Sequence, residues 1–190
     1  LKSLTLSDFG QNDPFSETNP YASNLNKLTR IELKAKVSQV FQNFIDSISK
    51  SEEPSSLFTL SFIQSEFGQE ELNALQKYIL SHNLKCLEFH DAIPPTSLPY
   101  FLTNFLTPDV MNRITFLNLD RSRNLSNELT RMIPQFENLI GLSFADCSLE
   151  ISETIQQLSR LKNLRILDLS TNTFRKNTTT FPPSLKVLYL

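Results

Sequence analysis

The chain has 190 residues, of which 39% are hydrophobic and 20% charged, so it can form a packed core and is not disordered throughout. The 18 Lys and Arg residues and 20 Asp and Glu residues leave a formal net charge of -2, without a long basic run, which argues against nucleic acid as a partner. The three glycines lie far apart, so no local glycine-rich phosphate-binding motif can be assembled.

Composition also indicates the cellular compartment of the chain. No stretch approaches the roughly 18 uninterrupted apolar residues of a membrane span, and the first ten residues lack the apolar core of a signal peptide. Two cysteines, Cys86 and Cys147, are too few for a secreted scaffold held together by disulfides. We therefore expect a cytoplasmic chain with no membrane partner, in which both cysteines are free thiols.

One pattern of apolar residues, L-x-x-L-x-L, recurs along the whole chain. Eight copies fit it, and their first positions are separated by between 21 residues (Leu164 to Leu185) and 30 residues (Leu84 to Ile114). Such regular spacing predicts one array of about eight structural repeats over residues 1–190. The apolar positions of the copies are Leu1, Leu4, Leu6; Leu28, Ile31, Leu33; Leu57, Leu60, Phe62; Leu84, Leu87, Phe89; Ile114, Leu117, Leu119; Leu139, Leu142, Phe144; Leu164, Leu167, Leu169; and Leu185, Leu188, Leu190.

Each copy has the pattern of a short strand whose apolar side chains form one buried stripe. A single copy cannot bury that stripe alone, so the copies must stack into a parallel sheet. Because the chain opens and closes on such a strand, its ends would expose core-type surface. We therefore expect a fragment of a longer chain, or ends that a partner covers.

The segments between the copies differ in character. Residues 7–24 carry Asp13-Pro14 and Asn19-Pro20, typical of a loop, whereas the later VSQVFQNFIDSISK predicts an amphipathic helix. The segment TFPPSL before the last copy is too short and rich in proline for a helix. Helical spacing predicts outer helices through Leu72, Leu75, Ile79; Leu98, Phe101, Leu102, Phe105; Leu129, Met132, Ile133, Phe136; and Ile151, Ile155, Leu158.

Two copies, LIGLSFADCSL and LRILDLSTNTF, resemble leucine-rich repeats. Cys147 and Asn172 stand at the position that this family fills with Cys or Asn. The resemblance spans essentially the whole chain and implies an α/β leucine-rich repeat solenoid. Such a solenoid has a curved parallel sheet on its concave side and helices or extended segments on its convex side.

The long repeats resemble the ribonuclease-inhibitor type, which includes the CARMIL regulators of actin capping protein, the tropomodulins and the Ran GTPase-activating proteins. The CARMIL-like type is preferred because the segment FGQEELNALQKYILSHNLKCLEF resembles its succession of strand, helix and strand. The resemblance implies a non-enzymatic scaffold for protein partners, with cytoskeletal proteins among the candidates. One alternative is a GTPase-activating or other regulatory repeat protein acting through Arg30. Another is a secreted or surface adhesion protein glycosylated at Asn124 or Asn177.

Candidate chemistry is sparse. His82, Cys86 and His90 are spaced four apart, and the register places Cys86, Glu88 and His90 on the concave face of one strand. A structural zinc site requires four ligands, and a Cys–His nucleophile requires a third, orienting group and a pocket. We therefore predict no catalytic site, no metal and no cofactor. At Cys147 we expect a small buried side chain that satisfies the turn backbone.

The binding surface follows from the residue between the second and third apolar positions of each copy. These residues should form one row across the concave sheet, with three acidic and no basic members, while Arg30 and Lys34 offset the charge near one end. We expect a partner with a basic ridge and salt-sensitive association, slowed by Glu88→Lys or Asp168→Lys at unchanged melting temperature. The alternative is binding through the convex helices or a lateral edge. The candidate surface comprises Arg30, Glu32, Ser61, Glu88, His90, Asn118, Asp120, Ser143, Asp168 and Tyr189.

Overall fold

The computed structural model describes residues 3–7, 27–34, 43–46, 57–122, 127–149, 156–173 and 181–190. Eight strands in these ranges form one parallel sheet, in which each strand pairs with the next along the chain. Every strand falls on one copy of the L-x-x-L-x-L pattern, as the repeat predicts. The strands are β1 Ser3–Ser7, β2 Arg30–Lys34, β3 Thr59–Ile63, β4 Cys86–His90, β5 Phe116–Asn118, β6 Gly141–Ser143, β7 Ile166–Asp168 and β8 Val187–Tyr189.

The second apolar positions of all eight copies lie side by side in the register of the sheet. This row is Leu4, Ile31, Leu60, Leu87, Leu117, Leu142, Leu167 and Leu188. From Ile31 to Leu167 the side chains are buried, because a neighbouring strand covers each of them on both sides. The register predicted from the sequence is confirmed.

Helices cover the core on the other side of the sheet. They are α1 Gln69–Ser81, α2 Leu98–Tyr100, α3 Pro108–Arg113 and α4 Asn127–Met132; α2 continues as a π-helical turn, Phe101–Phe105, and α4 as a 3-10 turn, Ile133–Gln135. Three of the predicted helices are confirmed by α1, α2 and α4. None of the helices in the described ranges is long and apolar enough to cross a membrane.

The remaining predicted segments are described only in part. Residues 43–46 of VSQVFQNFIDSISK are helical, and Phe44 and Ile45 are buried. The predicted loop beyond Ser7, and Ile151 and Ile155 of the last predicted helix, lie outside the described residues. Residues 181–185 of TFPPSL contain a turn and no helix, as expected.

Helix α3 is not among the predicted helices. Thr107 precedes it, and its side-chain oxygen accepts a hydrogen bond from the Val110 backbone N–H at 3.5 Å. Pro108 occupies the first turn, where its missing N–H costs nothing, and Asp109 complements the helix dipole. The sequence therefore does carry the start signal of this helix, although its apolar periodicity is too short to show it.

A cluster of phenylalanines joins the third and fourth repeats to their outer segments. The Phe89 ring stacks on Phe62 at a centroid distance of 5.5 Å and meets Phe67, Phe101 and Phe105 edge-on at 5.5, 5.6 and 6.2 Å. All five rings are buried. Edge-to-face packing of this kind contributes beyond the area it buries, so Phe89 fixes how strand and helix layers pack in this part of the array.

A ladder of backbone hydrogen bonds between successive repeats runs along the edge where the strands end. Five residues that each follow the third apolar position by two places have left-handed backbone conformations, with φ between 50° and 62°: Gln64, Asp91, Arg121, Asp146 and Thr171. The N–H groups of the first four donate to a carbonyl oxygen of the next repeat over 2.8 to 3.0 Å. Each of these four turns thus satisfies the N–H group of its left-handed residue through the next repeat, which offsets the cost of the strained conformation.

Asn172 and Cys147 occupy equivalent positions in this edge. The Asn172 Oδ1 atom accepts hydrogen bonds from the Cys147 and Leu149 N–H groups at 3.1 and 3.0 Å, and Nδ2 donates to the Phe144 carbonyl at 2.7 Å. The Cys147 thiol donates to the Leu119 carbonyl, one repeat earlier, at 3.1 Å. Since Leu119 and Phe144 are equivalent positions, the thiol replaces one of the amide's bonds, which confirms the structural role predicted for Cys147.

We predict that Asn172→Ala destabilises the protein by at least about 2 kcal/mol, because two backbone N–H groups lose their acceptor inside the turn. Urea unfolding measures this loss. Cys147→Asn is the matched variant, since it installs the residue that the next repeat uses, and it should be tolerated far better. Equal losses in the two variants would contradict the equivalence of the two positions.

The register yields a second prediction. Leu167→Asp should cost more than about 4 kcal/mol, because it places an unpaired carboxylate in the buried row. Asp168→Ala, one residue further on, removes only a 2.9 Å hydrogen bond from the Ser170 N–H and should cost about 1 kcal/mol. Equal shifts of the melting temperature would show that the buried and exposed faces had been exchanged.

Candidate functional site

The sheet face that points away from the core, here called the concave face, carries the predicted binding row. Thr5, Glu32, Ser61, Glu88, Asn118, Ser143, Asp168 and Tyr189 are register partners across the eight strands. Arg30 precedes this row on β2, whereas His90 and Asp120 follow it after Glu88 and Asn118. The structure therefore brings all ten residues of the candidate surface to one face.

Arg30 and Glu88 form a bidentate ion pair across this face. The two guanidinium nitrogens donate to the two carboxylate oxygens at 2.8 and 2.6 Å, and Nη2 also lies 3.5 Å from Glu32 Oε2. Arg30 belongs to β2 and Glu88 to β4, so the pair bridges over the intervening strand β3. Bidentate geometry makes this one of the stronger kinds of ion pair.

The strand beneath the bridge loses its exposed face. On β3, Ser61 is fully buried and Thr59 is 9% exposed, although alternation would leave both open to solvent. Ser61, which the sequence places on the binding surface, is therefore not accessible to a partner in this arrangement of side chains. The physical reason is non-local: side chains from strands on both sides meet above it.

The bridge also fixes the charge states of its members. Burial raises the pKa of the Glu88 carboxyl, but the interactions with His90 and Arg30 together lower it by more than burial raises it. The pKa therefore lies well below its usual range. The hydrogen bond to Glu88 raises the pKa of Arg30, against the opposing effect of burial. Glu88 is therefore an ionised carboxylate already paired within the protein, and Glu88→Lys would place a second cation beside Arg30. We therefore expect Glu88→Lys to lower the melting temperature, in contrast to the sequence-based expectation that it stays unchanged.

The polar contacts continue to the next strands. The His90 ring lies between two carboxylates, with Nε2 at 3.6 Å from Glu88 and Nδ1 at 3.7 Å from Asp120. Asp120 in turn accepts hydrogen bonds from Asn118 Nδ2 at 2.9 Å, Ser143 Oγ at 2.5 Å and the Ala145 N–H at 2.9 Å. Seven of the ten candidate residues thus belong to one connected network from β2 to β6.

Next to the network, and lined in part by its members Glu88, Asn118, Asp120 and Ser143, the concave face holds a depression of about 230 Å³. Its apolar lining includes Phe116, Gly141 and Ile166, and a side chain added at Gly141 would collide with the Phe116 ring. Asp168 and Tyr189 also line it. Sequence reasoning missed Phe116, Gly141 and Ile166, which the same register could have found, since they lie two residues before the binding row on the same face.

The structure separates His82 from Cys86 and His90, the three residues that are spaced four apart in the sequence. His82 follows α1 and stacks on Tyr78 at a centroid distance of 4.1 Å, whereas Cys86 and His90 are on β4. Burial raises the pKa of Cys86 to about 11 and that of Cys147 to about 12, so both free thiols are protonated at neutral pH. Within the described ranges, no group of three or more His, Cys, Asp or Glu residues could hold a metal ion.

The strand pairing and the turn ladder together decide the architecture. The fold is an α/β leucine-rich repeat solenoid. No family model matches the chain, and no curated protein matches it. Among solved structures it is similar to an internalin of Listeria monocytogenes, with a TM-score of 0.45 and 16% sequence identity. That similarity covers 96% of this chain and 60% of the internalin chain, so the present chain spans less than two thirds of it.

We predict that the Arg30–Glu88 pair stabilises the fold. In a double-mutant cycle with Arg30→Met and Glu88→Gln, urea unfolding should give a coupling energy of about 1–2 kcal/mol, above that of a fully exposed pair. Glu32→Gln is the matched control and should couple more weakly to Arg30, because its single contact is 3.5 Å long. Additive losses for Arg30 and Glu88 would contradict the prediction.

The same pair predicts a pH dependence. A carboxyl whose folded-state pKa is lowered stabilises the protein above its unfolded pKa of about 4.3, and that contribution is lost as the pH falls below it. The difference in unfolding free energy between wild type and Glu88→Gln should therefore shrink as the pH falls from about 5 to 2. A difference that stays constant over this range would show that the charge of Glu88 contributes nothing.

Proposed function

We propose that the chain is a non-enzymatic scaffold that binds a protein partner across its concave face. One observation carries this proposal: the β5 to β8 half of that face exposes apolar side chains beside carboxylates. Ile166 is 38%, Val187 37% and Tyr189 55% exposed, and Asp168 lies among them. Surfaces on which aromatic and aliphatic side chains border polar groups are typical of protein interfaces.

The chemistry of the described residues supports a binding role over a catalytic one. Both thiols are protonated at neutral pH, and the carboxylate with the strongest pKa shift, Glu88, is lowered and paired with Arg30. A general base needs a pKa near the working pH, and Glu88 is shifted away from it. The depression of about 230 Å³ is also smaller than the roughly 300–1,000 Å³ of small-molecule sites.

A cytoplasmic location and a cytoskeletal partner remain part of the proposal, and they rest on the low cysteine content and on the resemblance to the CARMIL-like repeats. The GTPase-activating alternative depends on Arg30, whose guanidinium is held by Glu88. An arginine that stabilises transferring phosphate must be free to reach into the GTPase site, which disfavours this alternative. The sequons of the adhesion alternative, at Asn124 and Asn177, lie outside the described residues.

Comparative affinity enrichment from cell extracts tests the concave face. Immobilised wild type, Asp168→Lys and the control Glu137→Lys should be compared by quantitative mass spectrometry. Asp168 faces the depression, whereas Glu137 is exposed in the turn before β6, so the two variants make the same charge reversal in different places. We expect proteins retained by wild type and Glu137→Lys to fall about tenfold or more with Asp168→Lys.

The melting temperature checks that Asp168→Lys folds, since its side chain accepts only the Ser170 N–H among the described hydrogen bonds. Proteins retained equally by Asp168→Lys, or lost with Glu137→Lys alone, would contradict binding by the concave face. Actin, tubulin or their associated proteins in the retained set would support the cytoskeletal part, and their absence would contradict it.

A further inference from the structure

The concave face changes character between β4 and β5. In the row that precedes the binding row, Arg30, Thr59 and Cys86 are followed in register by Phe116, Gly141, Ile166 and Val187. The first three members belong to the bridged half of the face, and the last four form an apolar strip in which Gly141 is buried, Phe116 is half-buried, and Ile166 and Val187 are exposed. The depression lies on this strip, with the Phe116 ring packed over Gly141.

The size of the depression restricts what can fill it. A volume of about 230 Å³ accommodates one large side chain and is smaller than the usual site of a cofactor or a drug-sized molecule. Protein interfaces commonly place such an anchoring side chain, most often Trp, Tyr or Arg, in a pocket of the partner. The occupant is therefore expected to be a single side chain of a partner protein.

The charges that line the depression select among these anchors. Glu88, Asp120 and Asp168 are acidic, and no Lys or Arg lines it. Glu88 is paired with Arg30, and Asp120 accepts three hydrogen bonds and lies near His90. Among the described residues, no cationic side chain lies within 4.0 Å of the Asp168 carboxylate, so its charge is open to a partner.

An arginine side chain matches both properties of this depression. Its aliphatic stem can lie along apolar surface, and its planar guanidinium stacks on aromatic rings and binds carboxylates in a bidentate manner. A leucine would bury the Asp168 charge without a cationic partner, at a desolvation cost. A lysine is a compact, strongly hydrated charge that gains less from the Phe116 ring. The chain itself contains one example on this face, since Arg30 is held by Glu88 and Glu32.

We propose that the depression between β4 and β8 receives an arginine side chain of the partner protein. The guanidinium pairs with Asp168, and the stem lies along Phe116 and Gly141. This inference rests on the proposed function and names the side chain that the same face takes. Gly141 is needed because any side chain there would displace the Phe116 ring from the floor.

Glycine-selective isotope labelling and amide NMR test the proposal without a known partner. The chain has three glycines, of which Gly141 lines the depression and Gly68 precedes α1 on the helical side. Titration with N-acetyl-arginine amide should shift the Gly141 resonance saturably and leave that of Gly68 in place. For one anchoring side chain we expect a dissociation constant on the order of 1–10 mM.

Two further probes and three variants test whether the depression selects arginine over other side chains. N-acetyl-lysine amide and N-acetyl-leucine amide should bind at least about threefold more weakly than the arginine probe. Asp168→Asn, which keeps the size of the side chain, and Phe116→Leu, which keeps the charge, should each weaken arginine binding about threefold or more. Glu137→Gln removes a carboxylate outside the depression and should leave the binding unchanged.

Several outcomes would overturn the arginine pocket: equal binding of the lysine probe, equal or tighter binding of the leucine probe, no saturable shift at Gly141, or binding insensitive to Asp168→Asn. These results are separable from the affinity enrichment. Loss of proteins with Asp168→Lys but no arginine binding would retain the concave interface and reject its proposed anchor. Arginine binding without any protein lost would retain the pocket and reject the scaffold function.

Discussion

The structure depends on one constraint: a repeat cannot bury its own apolar stripe, so every strand must lie beside the next in a fixed register. The row from Leu4 to Leu188 meets this constraint in the core. The turns at the ends of the strands impose the same constraint on the backbone, because their N–H groups donate hydrogen bonds to carbonyl oxygens of the following repeat. These N–H groups belong to Gln64, Asp91, Arg121 and Asp146. Hydrophobic contact and hydrogen bonding thus require the same neighbour, and a shift in register would break both.

The register that aligns the core also aligns polar groups at strand spacing, about 4.8 Å apart, on the concave face. Arg30 reaches across β3 to Glu88, and Glu88, His90 and Asp120 follow at contacts of up to 3.7 Å. This half of the face satisfies its own charges, so a partner would have to break ion pairs to use it. The β5 to β8 half has an apolar strip beside Asp168 and offers a partner contacts at less cost.

The repeat was sufficient to predict the positions of all eight strands, their order and the two faces, because period and pairing are encoded locally in each copy. It also predicted the role of Cys147, since the position equivalent to Asn172 can be read from the alignment of two copies. Helix α3 was missed although Thr107 and Pro108 mark its start. The burial of Ser61 could not be predicted, because it depends on the contact between side chains two strands apart that meet above it. The packing of Phe116 on Gly141 could not be predicted either, because it depends on the orientation of a side chain on the neighbouring strand.

A place in the concave row therefore fixes which way a side chain points, but not whether it is available to a partner. Glu88 and Asp168 are equivalent by register, and yet Glu88 is bound by an arginine of its own chain whereas Asp168 accepts a backbone N–H. The difference arises in the row two residues earlier: the strand two before Glu88, β2, carries Arg30, whereas the strand two before Asp168, β5, carries Phe116. In such a sheet, the selectivity of one row is set by the residues of the row beside it, because strand spacing is shorter than the reach of an arginine side chain.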